Sequence, residues 1–360
     1  MTALTERIAR LIAVDGPISV ASYFALCLSD PRHGYYMARE PFGRAGDFTT
    51  APEISQMFGE LVGVWLALAW RAVGRPERPL VVEIGPGRGT LARDMLRTLE
   101  KVEPGLRSSA SFRLVETSPR LKTVQRVTLE GTGVDIQWHD SLDDLPDRPL
   151  LIVGNELFDA IPIRQFVKAG GGWRERAIGL SDSGKLAFVA GAGSLDPALL
   201  PPDAAEVPEG TVFETAPARE AVMQGIAERI AAAGAGLFID YGHFRHGFGD
   251  TLQAVRRHKP EDPLENPGEA DLTAHVDFSA LADRARVAGL DTHFATQGEF
   301  LLGLGLLDRA GRLGAAADEA GREEIRAAVE RLAGPDQMGE LFKVLAVLPR
   351  GVAVPPFARS

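Results

Sequence analysis

The chain has 360 residues, 45% of them hydrophobic, with a formal charge of −10 and a sequence pI near 5.3. That is enough apolar material for a sizeable core, in one large domain with additions or in two. The acidic balance disfavours broad binding to phosphate backbones and suits a cationic substrate. A single cysteine, Cys27, excludes an intrachain disulfide and a thiolate metal cage.

No apolar run is long enough to span a bilayer. The start carries no long apolar h-region; Leu4, Ile8, Leu11 and Ile12 recur instead at helical spacing, and Glu6 and Asp15 weigh against a transit peptide. A bacterial-type cytoplasmic protein is the simplest expectation, with the mitochondrial matrix as the setting for a eukaryotic source.

Residues 1–75 read as a helical region with loops. Asp15-Gly16-Pro17 breaks the first helix, Ser19 is placed to cap the second, and Asp30-Pro31 ends it. Pro52 suits the first turn of a further helix, with Glu53 near its positive end, running through Trp65 and Trp70 to about Gly74. Residues 76–360 form the second region. There, short apolar strands at Leu80–Ile84, Phe112–Glu116, Val134–Trp138 and Leu150–Val153 alternate with helices at Thr90–Leu99 and Pro119–Glu130. That rhythm predicts a doubly wound α/β fold with a mostly parallel sheet.

Residues 163–235 interrupt the rhythm as an insertion, with a hairpin over Trp173–Leu180 and Lys185–Ala190 and a helix over Pro217–Ala233. Leu237–Asp240 reads as a fifth parallel strand. Residues 242–275 show little periodicity, and a loop that long in a compact domain is usually functional or mobile. Helices follow at 277–288 and 316–333, and Glu340–Leu348 is a closing strand.

The stretch Val82-Glu-Ile-Gly-Pro-Gly-Arg-Gly-Thr90 sits between a predicted strand and a predicted helix. Glycines there let the chain turn sharply and let a ligand approach the backbone. A phosphate-cradling P-loop needs Gly-Lys-Ser/Thr, which is absent, and the third glycine falls one position early for the dinucleotide fingerprint. The spacing Glu83, Gly85, Gly87, Gly89 resembles motif I of seven-strand methyltransferases. On that reading Glu83 holds the methionyl ammonium of S-adenosylmethionine, directly or through water. Glu116, at the end of the second strand, accepts both ribose hydroxyls. Asp140, after the third strand, faces the adenine amino group, or else serves as a helix cap.

Further stretches carry a more specific resemblance. They are Gly16-Pro-Ile-Ser-Val, His33-Gly-Tyr-Tyr, Gly46-Asp-Phe-Thr-Thr-Ala-Pro-Glu-Ile-Ser, Gly154-Asn-Glu-Leu-Phe-Asp-Ala-Ile-Pro, Ile239-Asp-Tyr-Gly, and Asp262 through Phe278. With motif I they run over nearly the whole chain, and they resemble the MidA-like family, whose mitochondrial members are arginine methyltransferases of respiratory complex I assembly. The resemblance implies a seven-strand sheet, S-adenosylmethionine as cofactor, and a protein substrate: an arginine on the 49 kDa-type subunit of complex I, symmetrically dimethylated.

The residues allow the same chemistry. Asn155, Glu156 and Asp159 follow the fourth strand, beside the expected position of the sulfonium methyl. Guanidinium spreads its charge over three nitrogens, and paired carboxylates that bind two N–H groups as a fork localise electron density on the third. Glu156 and Asp159 are three residues apart, so a tight turn would face both into one pocket; ordinary acidic residues of a helix start are the plainer alternative.

His275, close to Asp277, could remove a proton or orient Glu156, or be a histidine satisfied by hydrogen bonds. Tyr35, Tyr36, Asp47 and Thr49 are candidates for a lid over the cofactor, with packing as the other role for the tyrosines. No clear Asp, Glu or Cys stands at ligand spacing from His243 and His246 in the sequence, so no metal is expected. A small-molecule methyltransferase and a non-catalytic, cofactor-binding assembly chaperone are the two alternatives to a protein-arginine methyltransferase.

Overall fold

The computed structural model describes residues 2–38 and 50–357. These fall into two compact units, one comprising residues 50–157, 222–244 and 278–357, the other residues 2–38, 158–221 and 245–277.

The first unit carries the alternating pattern. Seven strands of its sheet are β1 (Leu80–Ile84), β2 (Ser111–Val115), β3 (Ile136–His139), β4 (Leu150–Asn155), β5 (Gly234–His243), β6 (Leu290–Thr296) and β7 (Phe342–Pro349), in the order β3-β2-β1-β4-β5-β7-β6. β1 pairs in parallel with β2 and β4, β2 with β3, and β4 with β5. β7 inserts antiparallel between β5 and β6. The doubly wound sheet expected from the alternation is present.

β1 is buried over its full length. Each such Leu, Val or Ile contributes about 2 kcal/mol by leaving water, which is why a strand with both faces covered reads as a continuous apolar run. β6 is the strand that the pattern does not announce. Only Leu290 and Thr296 of it are buried, and Asp291, Thr292 and His293 are polar.

The helix expected from Pro52 is divided. A short helix, Ala51–Ile54, stops at Ser55, which is extended (φ −158°) and caps a second helix, Gln56–Ala72, by accepting from the Met57 N–H at 3.2 Å. That second helix lies closely on the Thr90–Val102 helix. A β-carbon at Gly59 would come within 2.7 Å of the Asp94 β-carbon, so glycine sets the approach.

In the second unit the Ala3–Asp15 helix turns Leu4, Ile8 and Ile12 inward and is capped by Thr2. The Val20–Ser29 helix is capped by Ser19, as expected. These helices share a core with Ile163, Ile178 and Leu272. The 172–180 and 186–194 strands form the expected hairpin within a five-stranded sheet. Residues 242–275 are not structureless: Gln253–Arg256, Lys259–Glu261 and Asp271–Thr273 pair as a small antiparallel sheet. Strands of three or four residues are too short to display a period.

Candidate active site

The parallel register brings three strand ends together. Ile84 lies opposite both Val115 and Gly154. The hydrogen-bond ladder continues one step past the strands: Gly85 N–H to the Val115 carbonyl at 3.0 Å, Glu116 N–H to the His139 carbonyl at 3.0 Å, and Glu156 N–H to the Ile239 carbonyl at 2.8 Å. Connections leave β1 toward β2 and β4 toward β5, in opposite directions. The crevice at the carboxyl ends of β1 and β4 is therefore a topological switch point, the ligand-binding place of open α/β sheets.

Gly85, Gly87 and Gly89 have φ of +68°, +52° and +82°, a region that side chains with a β-carbon occupy at a cost. Three such residues in five fold the chain back sharply. Beyond the turn, the Thr90 hydroxyl donates to the Glu53 carboxylate, and Arg88 lies 3.7 Å from the other Glu53 oxygen. Glu53, expected only as a charge at a helix start, thus clasps the far end of the glycine turn.

The acidic residues differ sharply. Glu83 is 4% exposed; it accepts from the Ala92 N–H, and burial pushes its pKa up to about 8. Its Oε2 is buried with no hydrogen-bond partner among the described residues. Glu116, also buried, accepts from the Ser118 N–H at 2.8 Å and from Gln125 Nε2 at 3.0 Å. Burial raises its pKa, and those two bonds act against the rise. Asp140 is exposed and paired with Lys122.

After β4, Asn155 Nδ2 donates to Glu156 Oε1 at 3.1 Å, while Asn155 Oδ1 is buried without a partner among the described residues. Glu156 itself is held at φ +50°, a conformation that costs a non-glycine residue on the order of 1 kcal/mol or more and that concentrates at functional sites. Asp47 and Thr49 lie outside the described residues.

Sequence reasoning passed over Gln125. It is fully buried, and its amide contacts the Gly87 carbonyl, Glu116 and Trp138. The available signal was a polar residue inside the apolar stripe Leu121, Gln125, Leu129 of an amphipathic helix.

Asp159 and His275 belong to the second unit, where both lie on Arg219. That side chain is 1% exposed. Its guanidinium donates to the carbonyls of Ile161 (2.9 Å), His275 (2.6 Å), Asp159 (3.1 Å) and Ala274 (3.2 Å). The His275 N–H donates to the Thr251 hydroxyl at 3.0 Å. Asp277 pairs with His246. Tyr35 is buried in the core of this unit, and Tyr36 donates to Asp271 at 3.1 Å.

A glycine turn, flanked by a buried carboxylate oxygen and a buried amide oxygen that both lack partners among the described residues, suits a ligand with an ammonium group and a sugar. With the strand order, this defines a methyltransferase-type sheet rather than a phosphate-binding or dinucleotide one. A family model for S-adenosyl-L-methionine-dependent methyltransferases matches residues 61–296. The chain belongs to that family, and S-adenosylmethionine is its cofactor.

Among its relatives, the mitochondrial protein arginine methyltransferase NDUFAF7 homolog of Drosophila melanogaster is 38% identical, over 96% of this chain and 85% of that protein. Protein arginine methyltransferase NDUFAF7 of Homo sapiens, also mitochondrial, is 35% identical, over 97% and 84%. A superfamily protein from Burkholderia thailandensis, crystallised with S-adenosyl-homocysteine bound, superposes with a TM-score of 0.88 at 32% identity, covering 99% of this chain and 96% of that one.

Proposed function

We propose that this enzyme methylates a guanidinium nitrogen of an arginine in a protein substrate. The observation that carries the reading is Glu156: a carboxylate in a strained backbone conformation at the end of β4, with its N–H tied to β5 and its side chain linked to Asn155. Relatives named as protein arginine methyltransferases over nearly the whole chain support it.

Bound S-adenosylmethionine supplies an electrophilic methyl group. Glu83 holds the cofactor's ammonium end, the Gly85–Gly89 turn admits it to the backbone, Glu116 takes the ribose hydroxyls, and Asp140 and Asn155 complete the binding set. Glu156 accepts N–H bonds from the guanidinium. This draws positive charge onto those nitrogens and leaves electron density on the one that attacks. The attacking nitrogen loses a proton, for which His275 is the candidate acceptor, and Asp159 is the second candidate carboxylate on the substrate side.

The resemblance to complex I assembly methyltransferases points to an arginine of the 49 kDa-type iron–sulfur subunit as the target, and to work wherever that subunit is assembled: the matrix in a mitochondrial setting, the cytoplasm in a bacterial one. The test uses the purified chain, methyl-labelled S-adenosylmethionine and that subunit, with peptide mass analysis. Label on one arginine, lost in Glu156→Gln with cofactor binding intact, is the expected result. Efficient labelling of a small molecule while the subunit stays unmodified would overturn the proposal.

A further inference from the structure

Gln125 lies in the Pro119–Thr128 helix, which packs behind the cofactor turn. A β-carbon added at Gly89 would sit 3.5 Å from Gln125 Cγ and 3.6 Å from its Cα. The side chain is fully buried, so each polar atom it carries needs a partner. Gln125 Nε2 donates to the Gly87 carbonyl at 2.8 Å and to Glu116 Oε2 at 3.0 Å, and Oε1 accepts from Trp138 Nε1 at 2.8 Å.

The orientation of this amide is forced by chemistry. An indole N–H only donates, whereas a carbonyl and a carboxylate only accept. The reverse orientation would set the amide oxygen against two acceptors and the NH2 against a donor. Both amide hydrogens are therefore committed, one to the glycine turn after β1 and one to the carboxylate after β2. The other Glu116 oxygen is held by the Ser118 N–H at 2.8 Å. With each oxygen held by a donor, the carboxylate plane is set before any ligand arrives. A pre-set acceptor pair matches two vicinal hydroxyls without a reordering cost on binding.

We propose that Gln125 is the positioning residue for ribose recognition. Its amide locks the Glu116 carboxylate and the Gly87 carbonyl in one geometry, and Trp138, on β3, fixes the amide's direction. The inference rests on Glu116 being the ribose acceptor. Gln125 itself touches no reacting atom; it acts through Glu116.

The test compares two probes by calorimetry: S-adenosylhomocysteine and its 2′,3′-dideoxy analogue, which lacks both ribose hydroxyls. Wild type should prefer the hydroxylated probe by at least about tenfold, the scale of a charge-assisted hydrogen bond or two. Gln125→Met keeps the side chain's length and removes all three bonds. It should lose most of that preference by weakening S-adenosylhomocysteine about tenfold, with the dideoxy probe shifted by less than about twofold. In turnover the same variant should raise KM for the cofactor and leave kcat at saturation nearly unchanged.

Trp138→Phe disturbs the core less and serves if the first variant is unstable; freeing the amide to flip should cost about threefold in the same preference. Retained discrimination in a folded Gln125→Met or in Trp138→Phe overturns the positioning role. A wild type that binds both probes equally overturns the assignment of Glu116 itself, which separates the two failures.

Discussion

The two units of this protein treat buried charge in opposite ways. In the sheet unit, Glu83 is buried with one oxygen unpartnered among the described residues, and its pKa is pushed up to about 8. In the second unit, Arg219 is buried deeper and its guanidinium is covered by four backbone carbonyls. A group left short of partners at a strand end is suited to receive a ligand. One saturated by main-chain acceptors holds two stretches of chain together, here 159–161 and 274–275. Burial alone does not distinguish these two residues; their hydrogen-bond inventories do.

Substitutions on either side sharpen that contrast. The largest effect is expected in turnover: Glu156→Gln should reduce kcat by about 100-fold or more while keeping cofactor affinity, the pattern of an interaction made in the transition state. Rapid-quench measurement of methyl transfer checks it, and wild-type rates would remove Glu156 from the chemistry. Next comes the glycine turn. Gly87→Val forces a β-branched residue to φ +52° and should weaken S-adenosylhomocysteine by about 100-fold or more, roughly the 3 kcal/mol of such strain. Calorimetric binding at the wild-type level would contradict the turn's role.

Arg219→Met should act on stability instead. Four carbonyls lose this donor, of which Asp159 keeps the Ala274 N–H at 3.3 Å; at about 1 kcal/mol or more for each of the other three the expected loss is about 3 kcal/mol. Urea unfolding measures it, and an unchanged midpoint would show that Arg219 is not the clasp the contact pattern indicates.

The Glu83 prediction concerns pH. Because its folded pKa is raised, the protonated form is favoured in the folded, ligand-free protein. The contribution to stability is complete below the ordinary carboxylate range near 4.5 and is lost as pH rises through about 8. An ammonium ligand prefers the ionised carboxylate, so binding near pH 7 should release close to one proton. Calorimetry in buffers of different ionisation enthalpy should detect that release in wild type and not in Glu83→Gln. An identical pH dependence in both would place the ammonium elsewhere. The smallest effect belongs to Asp140→Asn. A carboxylate that is itself exposed, paired with a half-buried lysine, contributes little, so cofactor affinity should change by no more than about fivefold, measured by the same titration; a larger change would make Asp140 a principal adenine contact.

Much of the sheet unit was legible in the chain. β1, β2, β4 and β5 are buried on both faces, so their residues form apolar runs whatever surrounds them. The turn was legible because glycines at 85, 87 and 89 answer a local backbone requirement. Glu83 and Glu116 were legible because a strand end is a position along the chain. β6 was not, because an outer strand is only partly covered and its residues need not be apolar.

The remaining features depend on which segments meet. The clasp of Glu53 on Thr90, the amide of Gln125 between Gly87 and Glu116, and the four carbonyls around Arg219 join residues that are 37, 38 and 9, and 55 to 60 positions apart. Sequence by itself determined the parallel alternation, the glycine turn and the acidic strand ends, since periodicity, backbone dihedrals and burial are local properties. Only the tertiary structure decided which buried polar atoms are satisfied, because a hydrogen bond between distant residues depends on register and packing that no local pattern records.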